Sequence, residues 1–445
     1  MVDPLIERPI DRLRKPFAGW LHHQAAGGIL LFASAVIALV WANSPWRESY
    51  HHLWEHTVSL SFDGFMLQGS LHHLINDGLM AMFFFVVGLE LKREIVGGEL
   101  SRPKDAALPV AAGIGGMLMP ALFYLLFNPT GDPQDGWGIP MATDIAFAIG
   151  LLGLLGSRVP IGLKVFLTTL AIADDLGAVL VIALFYTSDI SLMNLGIGAA
   201  FLGVLVLCNL LGVRNPVIYA IIGICGMWTA FLLSGIHATV AGVLAAFAIP
   251  AVTRMDEPSY IARITKHIAA FARLEPNGKP TLTEDQLEVI ARIEEDSERA
   301  ATPLQRLEST LHPLVVFIVI PLFALANAGV ELPSEGLSAL KGPVSMGVIL
   351  GLVVGKPVGI LLVCWLMLKT RLGRMAEGVT FKHLAGAACL AGIGFTMSLF
   401  VNGLAFADPD LEQQAKLGIL AASLISGVLG VLVLRSIRSA AGTAD

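Results

Sequence analysis

The sequence predicts an all-α polytopic membrane protein of about twelve transmembrane helices, and three observations carry that expectation. Of the 445 residues, 55% are hydrophobic and 14% charged, whereas a soluble domain is about 25% charged. A hydrocarbon core of about 30 Å takes about 20 apolar residues per helical span, so about twelve spans would use nearly all the apolar residues available. Apolar stretches bounded by polar residues or Gly and Pro fall near 25–43, 72–91, 107–127, 137–155, 162–187, 193–211, 216–234, 237–252, 311–330, 343–369, 383–404 and 416–434. The net charge of −6 gives no general attraction to nucleic acid. The four cysteines (Cys208, Cys225, Cys364, Cys389) sit inside apolar runs without CxxC spacing and read as small buried hydrophobes.

The first stretch follows a basic segment (Arg8, Arg12, Arg14, Lys15) but is longer than a signal-peptide core. Val40-Trp41-Ala42 is a poor cleavage site, so it reads as an uncleaved first span. Of the 29 Lys and Arg, 25 fall on the N-terminus, the even-numbered loops and the C-terminus. Both termini are therefore expected in the cytoplasm. Between the first two spans, residues 58–67 alternate partly and turn at Asp63-Gly64, a two-residue hairpin signal. An isolated hairpin is marginal in water, so it is expected to pair, a second copy of itself being one partner.

Residues 253–308 carry 19 of the 64 charged side chains. Ile261, Ile264, Ile268 and Phe271 make a helical apolar stripe beside Arg263, Lys266 and Arg273, a turn follows at 275–280, and Thr283 with Gln286 reads as the capping box of an acidic helix. The chain thus divides into a cytoplasmic N-terminal segment (1–24), spans one to eight with the hairpin (25–252), a charged cytoplasmic helical insert (253–308), spans nine to twelve (311–434) and a cytoplasmic tail (435–445).

Ionisable residues at membrane depth cost about 2.5–3.5 kcal/mol each on insertion scales and usually mark ion or proton pathways. Asp174 and Asp175 fall mid-way along the fifth stretch, Lys356 mid-way along the tenth, and Asp144 in the fourth just after Pro140-Met141-Ala142-Thr143. Asp77 and Glu90 sit near the ends of the second. Buried salt bridges holding helices together are the structural alternative. Consecutive helical residues point about 100° apart, so Asp174 and Asp175 serve separate tasks. The fourth stretch is interrupted at 140–144 and the eleventh at Gly392-Ile393-Gly394-Phe395-Thr396, one in each half of the chain. Paired interruptions point to a midplane ion site in inverted-repeat transporters. Gly351, Gly355 and Gly359 repeat every four residues as a close-packing face. His237 reads either as a proton group or as a boundary hydrogen bonder. His52-Leu53-Trp54-Glu55-His56 matches an inverted zinc-protease pattern, but no downstream carboxylate ligand is evident.

Together these segments closely resemble the NhaA family of bacterial sodium/proton antiporters. The resemblance rests on Gly88-Leu89-Glu90-Leu91-Lys92-Arg93-Glu94, Ala142-Thr143-Asp144-Ile145-Ala146-Phe147-Ala148 and Ala171-Ile172-Ala173-Asp174-Asp175-Leu176-Gly177. It continues through Ser234-Gly235-Ile236-His237-Ala238-Thr239, Gly355-Lys356-Pro357 and Gly392-Ile393-Gly394-Phe395-Thr396-Met397-Ser398. That family is among those from which the inverted-repeat rule was drawn, so its agreement with the rule adds no independent support.

The resemblance implies an electrogenic exchange of internal sodium or lithium for more than one external proton, in a twelve-span dimer of the bacterial inner membrane, with no cofactor. Asp175 would be the primary sodium carboxylate, and Asp174 its neighbour, gating access and pairing with Lys356. Asp144 and Lys356 would compensate facing half-helix ends, with Thr143 at the break and Gly392 and Gly394 in the other one. Glu90, Arg93, Glu94, Glu308 and His312 look like the family's cytoplasmic pH-response cluster, and the 58–67 hairpin like its dimer contact. The long insert departs from the best-studied members, as do Gln305 and Ser309 beside Glu308, which leaves the pH set point open. A passive cation channel and an intramembrane aspartyl protease are the competing classes. The first has no need of two carboxylates titrating against their ligand, and the second lacks its GxGD signature.

Overall fold

A computed structural model describes residues 26–62, 65–187, 190–274, 281–332 and 340–437. The 1–24 segment, the Asp63-Gly64 turn, the 275–280 turn and most of the 435–445 tail lie outside the described residues.

The first apolar helix, α1 (Ala26–Ala42), bends by 113° into α2 (Arg47–Glu55). Only Tyr50 and Trp54, four residues apart, are buried on α2, so it packs by one narrow stripe. Tyr50 Oη donates toward the carbonyls of Leu325 and Ala326 at 2.8 and 3.1 Å, fastening this amphipathic helix to the bundle. The antiparallel strands β1 (Thr57–Phe62) and β2 (Phe65–Ser70) follow, paired from Thr57 opposite Ser70 to Phe62 opposite Phe65. This two-stranded sheet is the hairpin expected from the sequence.

The long helices are α3 (Leu71–Gly97), α4 (Pro103–Phe127), α6 (Ile161–Phe185), α7 (Leu192–Leu210), α12 (Pro303–Asn327), α13 (Pro343–Lys369) and α16 (Pro409–Arg435). Four of them (α4, α12, α13 and α16) begin on proline, whose missing N–H costs nothing in a first turn. Between α4 and α6 the chain makes a 3₁₀ helix (Asp132–Met141), breaks over 142–144 and resumes as α5 (Ile145–Leu154). Two shorter apolar helices, α8 (Pro216–Leu232) and α9 (Ala238–Ala248), precede the insert. The eleventh apolar stretch is α14 (Phe381–Ala391) and α15 (Phe395–Ala405), bent by 43° at 392–394. Among the described residues, eight helical segments are long and apolar enough to cross a bilayer, or ten if each bent pair counts once.

The main core gathers α1, α3, α4, α6, α12, α13 and α16 around the two interruptions, with Phe84, Leu167, Phe323 and Leu352 fully buried. A second cluster joins α7, α8 and α9 through Leu205, Tyr219, Met227 and Ala246. The glycines of α13 pack against α4. A methyl group at Gly359 would overlap Gly115 O, and one at Gly355 would lie 3.0 Å from Pro120 Cα.

The insert folds as a helical hairpin of α10 (Glu257–Ala272) and α11 (Glu284–Ala300), with the capping box at Thr283 and Gln286 in place. One detail differs from the sequence reading. Ile264 and Phe271 are half-buried, but Ile261 and Ile268 are 57% and 58% exposed, so only part of the apolar stripe is covered.

Candidate ion site

The interruptions cross because each half-helix end needs a partner. Asp144 is the N-cap of α5, where its Oδ1 accepts Phe147 N–H at 2.9 Å. Its Oδ2 accepts the backbone N–H and the hydroxyl of Thr396 at 3.0 and 2.6 Å, in the first turn of α15. One carboxylate therefore caps two helix N-termini, each worth about half a positive charge. The backbone closes the crossing as well, with Asp144 N–H donating to Ile393 O at 2.7 Å and Ser398 Oγ to Ile139 O at 2.7 Å. The close approach requires the glycines: a methyl at Gly392 would lie 2.5 Å from Leu352 O, and one at Gly394 would lie 3.1 Å from Ala142 O.

Lys356 and Asp174 are fully buried and form an ion pair of 2.8 Å between Nζ and Oδ2. Lys356 Nζ also donates to Met141 O, the last carbonyl of the 3₁₀ helix, which places positive charge at the negative end of that segment. The Thr143 hydroxyl stands 2.7 Å from Asp174 Oδ2 and 3.0 Å from Ala391 O, and its single proton goes to one of them. Among the described residues, Asp175, 1% exposed, accepts no hydrogen bond at either carboxylate oxygen, and neither does Asp174 at Oδ1. Thr143, Asp174 and Lys356 are thus linked directly, while Asp144, next to Thr143 in the chain, is bound through its side chain to Phe147 and Thr396. Asp175 adjoins them on α6 as an unsatisfied oxygen pair.

The other candidate residues form two further groups. Toward the end of α3, Arg93 bridges Glu94 at 2.9 Å and Glu308 of α12 at 2.5 Å, and His312 stands 3.6 Å from Glu90. At the start of α3, Asp77 lies between His73 at 2.8 Å and His237 at 3.4 Å, and His237 Nδ1 contacts Thr239 Oγ1 at 3.0 Å. Asp77 and Glu90 are separated by thirteen residues, about 20 Å of helix, so these are distinct clusters.

Several polar contacts escaped the sequence reading. Thr396 was visible only as part of a motif, without its role as donor to Asp144. Ser423 of α16 accepts Phe395 N–H at 3.2 Å at the foot of α15, and nothing in its local sequence marks it. Lys92 donates to the carbonyls of Phe247 and Ile249 at the C-terminal end of α9. It is an end cap for a short helix rather than part of the charged cluster beside it.

A bundle of membrane-crossing helices with a dry, charged crossing of two interrupted segments defines an ion transporter rather than an enzyme. A sequence model of the family described as Na+/H+ antiporter 1 matches residues 18–434. The Na(+)/H(+) antiporter NhaA of Oleidesulfovibrio alaskensis is 48% identical over 429 residues, covering 96% of this chain and 95% of the relative. That of Koribacter versatilis is 48% identical over 437 residues (98% and 94%), and that of Acidithiobacillus ferrooxidans 50% over 425 (94% and 96%). The chain belongs to this family of sodium/proton antiporters.

Proposed function

We propose that the protein is an electrogenic, pH-regulated antiporter that expels cytoplasmic sodium or lithium in exchange for external protons, by alternating access at the Asp174–Asp175 site. The observation that carries this reading is the charge arrangement at the crossing. Asp144 is compensated by two helix N-termini and Asp174 by Lys356. Asp175 has no hydrogen bond among the described residues, and the positive charge that acts on it, Lys356, is already paired with Asp174, so a charge so deep calls for a bound cation or proton to neutralise it. A sodium ion would find two hard carboxylate oxygens on Asp175 and a further one at Asp174 Oδ1. The exchange balances as one sodium out against a proton on Asp175 and a second carried by the Asp174–Lys356 pair, whose titration is shared. More positive charge then enters than leaves.

The reading extends to the whole chain. Adding α1, α8, α9 and the bent α14–α15 to the eight long segments would make twelve spans, and the Lys and Arg bias supports both termini in the cytoplasm of an inner-membrane protein. Glu90, Arg93, Glu94, Glu308 and His312 would then form a cytoplasmic cluster tuning activity with pH. The β1–β2 hairpin would join two protomers outside the membrane. The test is made in everted vesicles with an acid interior. Sodium should dequench a pH dye in the wild type, and Asp175→Asn should abolish the response while leaving the protein inserted and folded. Full exchange in Asp175→Asn at saturating sodium would remove Asp175 from the site.

A further inference from the structure

Three helices among the described residues start on a capping box built on threonine. In such a box the Thr hydroxyl accepts the backbone N–H three residues on, and that residue's side chain accepts the Thr backbone N–H. In two of them, Thr283 with Gln286 and Thr302 with Gln305, the returning side chain is glutamine. In the third, at the start of α14, it is His383, which is buried. Its Nδ1 accepts Thr380 N–H at 3.1 Å and lies 2.9 Å from the Thr380 hydroxyl, which in turn accepts His383 N–H at 3.4 Å. Glutamine does not titrate, whereas histidine does. A neutral ring that accepts at Nδ1 carries its hydrogen on Nε2, so a second proton can go only to the atom that makes the cap. The hydroxyl contact can then reverse its sense. The backbone N–H of Thr380 cannot, and it is left facing another N–H.

We propose that His383 is a proton-operated cap on α14, through which acidification of the cytoplasm loosens the half-helix that leads into the crossing and slows exchange. The inference rests on the pH-regulated reading above and adds to it a group outside the Glu90–Glu308 cluster. The far end of α14 is joined to the ion site: Ala391 O stands 3.0 Å from the Thr143 hydroxyl, and Ile393 O, two residues on, accepts Asp144 N–H at 2.7 Å. With eleven residues, α14 is about three turns long and depends on its cap and its packing to stay helical. The elements packed on it are α16, α13, α6 and α5. At the end where it starts they carry Arg435, Lys369, Lys164 and, just after α5, Arg158. The preceding loop adds Arg371, Arg374 and Glu377, Lys382 adjoins His383, and Glu99 and Asp105 line the same cavity as Leu384. Among the described residues no ion pair joins any of these to His383, and the ring stands at the positive end of the helix dipole. A charge on the ring is therefore relieved by releasing the cap. The cap holds while the ring is neutral and is lost as the pH falls below about 6.5. Exchange imports protons, so a cap that fails on acidification slows that import when the cytoplasm is already acid.

The experiment compares full-length wild type with His383→Gln, which restores the Thr-x-x-Gln box of the other two helices and cannot titrate. Everted vesicles expose the cytoplasmic face to the medium, and sodium-driven proton release is measured at saturating sodium from pH 5.5 to 8.5. The variant should match wild type within about two-fold at pH 8.5 and exceed it about five-fold at pH 6, the factor a lost N-cap represents. Superimposable pH profiles would overturn the proposal. A second measurement needs no variant. Hydrogen exchange of the amides from Phe381 to Leu384, corrected for the intrinsic pH dependence, should show about five-fold less protection at pH 6 than at pH 8 in wild type, and no such loss in His383→Gln. Equal protection of wild type at the two pH values would reject the cap as a switch, even if the variant fails to insert. Wild-type exchange that does not vary with pH would instead reject the pH-regulated reading, and the hydrogen-exchange result would still decide whether the cap responds to protons.

Discussion

Lys356 and Asp174 carry opposite charges 2.8 Å apart with no solvent exposure, and that geometry dictates what substitution does. Removing one partner leaves the other uncompensated in a dry interior, typically a loss of about 3–5 kcal/mol, whereas removing both together is far milder. Lys356→Ala and Asp174→Asn should therefore each lower the melting temperature in detergent. The double replacement Asp174→Asn with Lys356→Gln should recover much of the loss, a coupling of about 0.5–3 kcal/mol. Additive losses would reject the pair as an energetic unit. Electrogenic exchange should fall with both single changes. At this scale the sequence was most legible for groups whose burial is expensive, because an Asp or Lys within an apolar run advertises its own cost. Thr396, Ser423 and the carbonyl of Met141 were not legible. A serine or a backbone carbonyl costs little to place anywhere, and its importance arises only when a distant segment arrives beside it.

The insert shows how an element can be predicted correctly and its packing misjudged. At 100° per residue, Tyr260, Ile264, His267 and Phe271 fall within an arc of about 60°, and that arc faces α11. Ile261 and Ile268 lie just beyond its edge, where apolar periodicity merges them with the half-buried side chains. What centres the buried face is a polar residue, Asp296 of α11, 3.0 Å from His267 Nε2 and 3.2 Å from Arg263 Nη1. Burial raises the pKa of Asp296, but the His267 hydrogen bond and the Arg263 charge outweigh it and hold it below the ordinary carboxylate value. The sign follows from linkage: the clasp is fully present above about pH 4 and is lost as pH falls through the lowered folded value. Hydrogen exchange of α10 should therefore be insensitive to acidification until that range, whereas Asp296→Asn should loosen α10 already at pH 7. Equal protection in the variant at pH 7 would show that apolar packing alone holds the hairpin. The insert also reaches the body of the protein. Arg254 N–H donates to Arg299 O at 3.1 Å, Arg306 pairs with Glu298 at 2.9 Å, and Glu308 two residues further on pairs with Arg93. Replacing residues 256–302 by a Gly/Ser linker should accordingly preserve exchange but shift its activation pH. An unchanged profile would make the insert a passive appendage.

For the whole molecule, hydropathy revealed the apolar stretches but not how each becomes a helix. The fourth is half 3₁₀ helix and half α5, the eleventh is two eleven-residue pieces, and α9 has only eleven residues. Hydropathy measures the transfer of side chains, which is indifferent to where the backbone breaks. The hairpin raises the remaining question, what its strands are for. Among the described residues β1 and β2 pack chiefly on each other and on the turn Leu71–His73, and Val58 is 41% exposed. A two-stranded sheet has two open edges and is marginal alone, so pairing with the same hairpin of a second protomer would satisfy one edge of each. The base is closed independently by Leu71 N–H donating to His56 O at 2.8 Å. Residues 57–70 can therefore be replaced by a short glycine linker without pulling α2 away from α3. That deletion should shift the protein from dimer toward monomer on dilution in detergent, read by light scattering, while sodium-driven proton release per protomer in vesicles stays close to wild type, because the charged crossing lies wholly within one chain. A deletion variant that remains dimeric at the dilution where the wild type begins to dissociate would place the dimer contact elsewhere. Loss of exchange in a correctly inserted monomer would instead mean that the bundle must be held by its partner in order to move.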